Sequence, residues 1–279
     1  MEDKKTPSKS TCVKDAFPFL NGTGNALTDD VLVKFDDVSL TYHDKSGETL
    51  AISDLSFEVK RGELLGVVGP SGCGKTTVLS IISSIIKPSS GNVTVDGTTA
   101  EESRDKCGYM LQRDELFPWL TISQNVLLGT KIKKMKGRRD YAFALLDKYG
   151  LGDFKNRYPS QLSGGMRQRV ALIRTLATAP ELLLLDEPFG ALDFQTRLHV
   201  VEDVHAIIKN EKKTAIFVTH DISEAISLGD RILILSPRPA TVKKTVDLSA
   251  IKELKPLDRR ESPLFQKYFE DIWQNLQNK

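Results

Sequence analysis

The sequence predicts an α/β fold: a mixed sheet flanked by helices, joined to an antiparallel β subdomain and interrupted by an inserted α-helical subdomain. Three observations carry that expectation. Leu182-Leu183-Leu184-Leu185, Ala215-Ile216-Phe217-Val218 and Ile232-Leu233-Ile234-Leu235 are short continuous apolar runs with helical patterns between them, the mark of parallel strands covered on both faces. From Val31 to Asp96 the apolar period is near two, as in Val31-Leu32-Val33-Lys34-Phe35, Leu55-Ser56-Phe57-Glu58-Val59 and Val93-Thr94-Val95, with turn residues such as Lys45-Ser46-Gly47 between the runs. From Asp105 to Tyr158 the pattern turns helical, beginning at Thr121-Ile122-Ser123-Gln124, which has capping-box spacing.

The stretch Leu64-Leu65-Gly66-Val67-Val68-Gly69-Pro70-Ser71-Gly72-Cys73-Gly74-Lys75-Thr76-Thr77 reads as a buried strand, a glycine-rich turn and a helix expected over Val78 to Ile86. That is the context in which the G-x-x-x-x-G-K-[ST] pattern becomes a phosphate loop, so the core is a P-loop NTPase core. Gly69, Gly72 and Gly74 let the backbone turn successive N–H groups inward as a nest for anionic oxygens, and the helix behind them adds its positive end. Lys75 suits the β- and γ-phosphates as a point charge, and the Thr76 hydroxyl suits Mg²⁺, a hard cation that prefers oxygen. The expected ligands are ATP or another nucleoside triphosphate, and Mg²⁺; residues Gly69 through Thr77, Pro70, Ser71 and Cys73 included, line the anion site.

Composition narrows the partners. Lys and Arg total 39 against 37 Asp and Glu, so the broad basic footprint of a nucleic-acid binder is lacking. No window carries eighteen or more uninterrupted apolar residues, and Met1-Glu2-Asp3-Lys4-Lys5 lacks an apolar signal core, so the chain is expected neither to span a membrane nor to be exported. Cys12, Cys73 and Cys107 are odd in number and lack metal-ligand spacing, which fits a reducing compartment. Cys73 lies inside the phosphate loop, where a thiol adduct would obstruct nucleotide, so thiol reagents are expected to inactivate the protein and ATP to protect it.

Two further motifs choose among the many enzymes that use a phosphate loop. The run ending Leu185-Asp186-Glu187-Pro188 delivers two carboxylates at a strand end: Asp186 to hold Mg²⁺ and Glu187 to act as general base on the attacking water. Gln161-Leu162-Ser163-Gly164-Gly165-Met166-Arg167-Gln168-Arg169 places a serine and two glycines before a helix expected over Met166 to Ala177, a second anion-binding helix start. It resembles the signature of the ATP-binding cassette, and the chain, from about Val31 to Pro239, resembles the ATPase subunits of ABC transporters.

That resemblance implies roles for residues that the bare sequence leaves open. Tyr42 falls at the aromatic position that stacks on adenine; Gln112, in Tyr109-Met110-Leu111-Gln112, at the glutamine that senses Mg²⁺ and the catalytic water; His220, in Val218-Thr219-His220-Asp221, at the switch histidine that contacts the γ-phosphate. Gly190-Ala191-Leu192-Asp193 resembles the loop that crosses between subunits, which adds Asp193 to the nucleotide site, and Ser163, Gly164 and Gly165 would close over an ATP held by Lys75 of a second chain. The implied partners are a second ATPase subunit in a head-to-tail homodimer, polytopic membrane permease subunits and, indirectly, a solute-binding protein, with no nucleic acid; the implied location is the cytoplasmic face of the cell membrane, peripherally bound. The implied layout is an extension over residues 1–30, rich in polar residues and read as flexible, an ATPase domain over 31–246 with its helical subdomain at about 105–165, and a helical tail over 247–279 whose amphipathic stretch runs from Pro263 to Leu276.

Leu116-Phe117-Pro118-Trp119-Leu120-Thr121, Pro188-Phe189-Gly190-Ala191-Leu192-Asp193 and Leu235-Ser236-Pro237-Arg238-Pro239 look like the nitrate/sulfonate/taurine-type importer ATPases. Phe117 and Trp119 either accept a helix of the membrane subunit or lie buried in the helical subdomain, and Lys131, Lys133, Lys134, Lys136, Arg138 and Arg139 either face anionic lipid or form a solvated surface. The alternative is a soluble ABC ATPase with a non-transport role in DNA repair or on the ribosome; against it, no long heptad coil separates the phosphate loop from the signature, and one cassette is present.

Overall fold

The structure, a computed structural model, describes residues 31–45 and 47–277; the extension expected over 1–30 lies outside them. The described residues begin with a hairpin of β1 (Val31–Asp44) and β2 (Gly47–Lys60), antiparallel throughout, whose inward residues Val33, Phe35, Leu55, Phe57 and Val59 are buried while Lys34, Asp36, Ser56, Glu58 and Lys60 between and beside them are exposed. The Phe35 and Phe57 rings stack with centroids 4.5 Å apart and hold the register. β3 (Leu64–Val68) follows, then α1 (Lys75–Ile82), β4 (Ser90–Val95) and β5 (Thr98–Thr99). The antiparallel sheet runs in the order β2-β1-β4-β5, and β3 lies outside it as a strand of the main sheet.

The helix after the glycine-rich turn differs from the expected Val78–Ile86: α1 starts at Lys75, directly behind Gly74, and stops at Ile82. Ser84 turns left-handed with φ of 56°, which no helix interior accommodates, so the apolar Ile85 and Ile86 that suggested continuation belong to the turn.

A second correction concerns the stretch from Asp105, which begins with a strand, β6 (Cys107–Met110), paired in parallel with the later β7. Four residues carry too little periodicity to declare themselves; long-range pairing to β7 decides their conformation. The helices come after it. α2 (Ile122–Ile132) starts at Thr121, whose hydroxyl accepts from the Gln124 N–H while the Gln124 side chain accepts from the Thr121 N–H. α3 (Arg138–Lys148) and α4 (Gly164–Leu176) complete the group.

The rest alternates strand and helix: β7 (Leu182–Asp186), α5 (Phe194–Asn210), β8 (Thr214–Val218), α6 (Ile222–Leu228), β9 (Arg231–Leu235), β10 (Val242–Asp247), α7 (Pro256–Glu261) and α8 (Pro263–Gln277). The main sheet has the order β10-β9-β3-β8-β7-β6, parallel except for the β10 edge. Its apolar runs feed two cores at once. Leu64, Val68, Leu183, Leu185, Phe217 and Ile234 face the layer of helices, while Leu65, Val67, Leu182, Leu184, Ile216 and Leu233 face α1 and the antiparallel sheet. Strands that bury both faces need apolar residues at every position. α8 lays Phe265, Tyr268, Phe269, Ile272 and Leu276 against the first of these cores.

The parallel strands β3, β7 and β8 end together at Val68, Asp186 and Val218. Gly69, Glu187 and Thr219 therefore open adjacent loops at the carboxyl edge of the sheet, where α/β folds bind ligands.

Candidate active site

Between β3 and α1 the chain folds over itself. Gly72 and Gly74 have φ of 71° and 121°, conformations a side chain would strain, and Gly74 stands at the N-cap of α1 with no side chain between the helix end and the space in front of it. Lys75 is 8% exposed and its Nζ donates to the carbonyl oxygens of Gly69 and Pro70 at 2.9 and 3.0 Å. Those bonds turn the Gly69 and Pro70 carbonyls toward the cation, and the Cys73 N–H donates to the Pro70 carbonyl at 3.3 Å.

Ser71, Gly72, Gly74, Lys75, Thr76, Thr77, Glu187, His220 and Arg238 line a cavity of about 540 Å³. Asp186, Gln112 and Tyr42 join this group through hydrogen bonds. Thr76 Oγ1 donates to Asp186 Oδ1 at 3.2 Å, and the Tyr109 hydroxyl donates to Asp186 Oδ2 at 3.3 Å. Burial pushes the Asp186 carboxyl above its ordinary range against the pull of those two bonds, with the Glu187 charge adding to the rise. Burial and then the Asp186 charge likewise raise the Tyr109 phenol, which stays protonated as a donor. Gln112 Nε2 donates to Glu187 Oε2 at 3.0 Å, and His220 Nδ1 lies 3.2 Å from the same oxygen. Glu187 itself holds a left-handed backbone with φ of 44°, strain of the kind that concentrates at functional sites, and its N–H donates to the Val218 carbonyl at 3.0 Å. Tyr42 reaches the loop from the antiparallel sheet, its hydroxyl 3.1 Å from Thr77 Oγ1 and its side chain exposed.

Ser163, Gly164, Gly165 and Asp193 are not part of that cavity. The Ser163 hydroxyl accepts from the Met166 N–H at 3.3 Å and caps α4. Gly165 permits close packing, since a Cβ there would come within 2.7 Å of the Val200 side chain on α5. Asp193 caps α5 by accepting from the Thr196 N–H at 3.0 Å, a bond that lowers its carboxyl below the usual value. Gly164 borders a second cavity, of about 330 Å³, with Arg113, Asp114, Arg167 and Leu192. Within one chain the two helix starts that favour anions serve separate surfaces.

Cys73 corrects the expectation of a reactive thiol. Its side chain is 1% exposed within the core, and burial raises the thiol's pKa against the opposing charge of Lys75. Cys73 is not among the residues that line the cavity. Trp119 is not buried in the helical subdomain: it is 69% exposed, with the partly exposed Phe117 ring 5.3 Å away. Of the cations from Lys131 to Arg139, Lys133 pairs with Asp105 at 3.0 Å, and Arg138 and Arg139 lie over the rings of Tyr141 and Phe143. Apart from the half-buried Arg138, the cations of the run are exposed.

Sequence reasoning did not single out Tyr109 or Arg238 for the site. Tyr109 precedes Gln112 by three residues on the alternating β6, and Arg238 sits in the Ser-Pro-Arg-Pro turn after β9; neither position announces a contact that depends on how strands are ordered in the sheet.

The donor set fits Mg²⁺. The Thr76 hydroxyl and the Asp186 carboxylate are hard oxygen donors within 3.2 Å of each other beside the phosphate loop, and no cluster of three or more His, Cys, Asp or Glu capable of holding a metal occurs among the described residues. Such a sparse oxygen set suits an ion that keeps its waters and arrives with a phosphate.

The model of the family described as ABC transporter matches residues 52–190. The chain is 46% identical over 244 residues to an uncharacterized ABC transporter ATP-binding protein, YtlC of Bacillus subtilis (strain 168), covering 86% of this chain and 94% of that protein. It is 39% identical over 215 residues to the aliphatic sulfonates import ATP-binding protein SsuB of Bacillus anthracis, covering 77% of this chain and 85% of that one. The post-hydrolysis dimer of the ATP-binding cassette MJ0796 bound to ADP and Pi superposes with a TM-score of 0.65 at 32% identity, covering 78% of this chain and 99% of that one. With a phosphate loop, an adjoining carboxylate pair and a second helix start of the same kind already in place, these likenesses settle the family: the chain belongs to the ABC transporter ATP-binding proteins and is an ATPase of that family.

Proposed function

We propose that this chain hydrolyses Mg-ATP at the seam of a head-to-tail homodimer and drives import of a small oxyanion or sulfonate, of the nitrate, sulfonate or taurine kind, through separate membrane permease subunits. The observation that carries the catalytic half is the meeting of Lys75, Glu187 and His220 on one cavity with Gln112 bonded to Glu187.

In this reading Gly69 to Thr77 cradle the triphosphate, with Lys75 exchanging its carbonyl partners for phosphate oxygens, and Tyr42 stacks on the adenine. Thr76, Asp186 and Gln112 would hold Mg²⁺, which supplies charge neutralisation at the phosphates when bound. Both contacts of Glu187 fall on Oε2, so Oε1 is the oxygen that accepts a proton from water. The water oxygen forms a bond to the γ-phosphorus as the bond from that phosphorus to the β–γ bridging oxygen breaks, leaving ADP and inorganic phosphate. Gln112 fixes the carboxylate's orientation, and His220 adds a donor beside the γ-phosphate.

Ser163, Gly164, Gly165 and Asp193 would complete the site from a second copy. The separation of Ser163 from the Lys75 cavity supports this, because one chain does not bring both anion-binding helix starts to one nucleotide. ATP then favours the closed pair and hydrolysis the open one.

Transport rests on the likeness to an importer ATPase, and no helix among the described residues is long and apolar enough to cross a membrane. The exposed Trp119 beside Phe117 is the proposed seat for a permease helix, which would place the chain on the cytoplasmic face of the membrane. Purification from native membranes tests this. Co-purification with a polytopic membrane protein, lost in Trp119→Ala while ATPase activity persists, is the expected result, followed by ATP-dependent uptake of taurine, an alkanesulfonate or nitrate by the reconstituted complex. Recovery with ribosomes or DNA and without a membrane protein would replace this reading with the soluble alternative.

A further inference from the structure

We infer that Arg238 is a nucleotide-binding residue, a second cation that grips the polyphosphate together with Lys75. This rests on the cavity being the nucleotide site. Arg238 follows β9, which pairs in parallel with β3, the strand that feeds the phosphate loop. The segment from Leu235 to Ala240 therefore runs alongside that loop, and it touches the loop at three points. A Cβ on Gly69 would meet Leu235 at 3.2 Å, Arg238 Nη2 donates to the Gly72 carbonyl at 2.8 Å, and a Cβ on Gly74 would lie 3.7 Å from the Ala240 methyl.

The segment is held before any ligand arrives. The Ser236 hydroxyl donates to the Pro239 carbonyl at 3.1 Å and accepts from the Thr241 N–H at 2.9 Å. Ala240 is buried and bridges to β2, its N–H donating to the Ala51 carbonyl at 2.9 Å and its carbonyl accepting from the Ser53 N–H at 3.1 Å. Arg238 thus stands on a turn fixed on both sides, with its guanidinium lining the cavity together with Ser71, Gly72 and Lys75.

The chemistry fits an anion. A guanidinium presents five N–H donors in a planar fork, and the one hydrogen bond Arg238 makes to a described residue uses a single donor, to Gly72. The cavity it lines is also lined by Ser71, Thr76, Thr77, Lys75, Glu187 and His220. Bracing the Gly72 carbonyl also fixes the peptide that follows it, so the same side chain shapes the nest and adds charge to it. Phosphate oxygens match both the charge and the fork.

Calorimetric titration of the full-length protein with Mg-ATP, Mg-ADP and AMP decides the matter, using the parent, Arg238→Lys, Arg238→Gln and Arg238→Ala. ATP and ADP are expected to bind about tenfold or more weakly in the Gln and Ala variants, and by an intermediate factor in Lys, which keeps the charge without the fork. AMP should change by less than about twofold, and the salt dependence of ATP binding should become shallower, as loss of one charge contact requires. Equal weakening for ATP, ADP and AMP would make Arg238 only a brace for the loop, and unchanged affinities would remove it from the site; either result overturns the inference. Should Arg238→Ala melt early, Arg238→Gln, which retains a donor for the Gly72 carbonyl, gives the same discrimination. A parent protein that fails to bind ATP would instead overturn the reading of the cavity itself.

Discussion

The two helix starts that favour anions, at α1 and at α4, differ in how much company they keep. Around the start of α1 the chain has assembled Lys75, Thr76, Asp186, Glu187, Gln112 and His220 from the ends of four strands, with Thr76 bonded to Asp186, Gln112 bonded to Glu187 and His220 against Glu187. At the start of α4, Ser163 spends its hydroxyl on its own helix, and Gly165 serves the packing of α5. In the proposed mechanism the first end carries the catalytic groups and the second closes over an ATP held by another copy. Under the proposed function that difference divides chemistry from its control: one chain supplies the base and the metal donors, and association with a second copy completes the site.

Breaking the first region should give the largest effect. Glu187→Gln is expected to bind ATP and to lose turnover by about 10²- to 10⁴-fold, the range for a general base, and to accumulate as a closed dimer. Single-turnover hydrolysis alongside light scattering measures both; turnover at the parent rate would mean that another group accepts the proton. Lys75→Ala comes next, with ATP affinity lower by about ten- to a hundredfold, the value of a charge-assisted hydrogen bond, read by calorimetry.

The second region should respond differently. Ser163→Ala is expected to leave ATP affinity of the isolated chain within about twofold, to cost about 1 kcal/mol of stability through loss of the α4 cap, and to lower turnover where the protein dimerises. A fall in monomer ATP affinity equal to that of Lys75→Ala would erase the division between the two helix starts.

The smallest effect lies away from both. His205 on α5 has its Nε2 buried without a partner, and burial, with Arg259 and Lys209 nearby, lowers its pKa from 6.5 to about 4. The folded state therefore keeps the imidazole neutral while the unfolded chain accepts a proton below pH 6.5, so stability present above 6.5 declines as the pH falls toward 4. His205→Gln should flatten the pH dependence of thermal unfolding in that window; an unchanged slope would assign it to other groups.

Much of the site was legible because its motifs are local. Glycines, a lysine and a threonine in one short loop must sit together whatever the fold, and a carboxylate pair closing an apolar strand must emerge at a sheet edge. Tyr109 and Arg238 were not legible, since each meets the site only because β6 lies beside β7 and β9 beside β3. The fate of Cys73 followed the same rule: its place in the loop was plain, but the direction of its side chain depends on the core behind the loop.

By itself the sequence determined the alternation of strands and helices, the phosphate loop, the carboxylate pair and the capped start of α4, all of which arise from residues close in the chain. Tertiary structure alone decided that β6 is a strand, that α1 ends at Ile82, that both contacts of Glu187 fall on one oxygen, and that Ser163 stands apart from Lys75. Short-range patterns reveal what a segment prefers, but the order of strands and the direction of side chains follow from burying both faces of one sheet at once, a condition only the whole chain can meet.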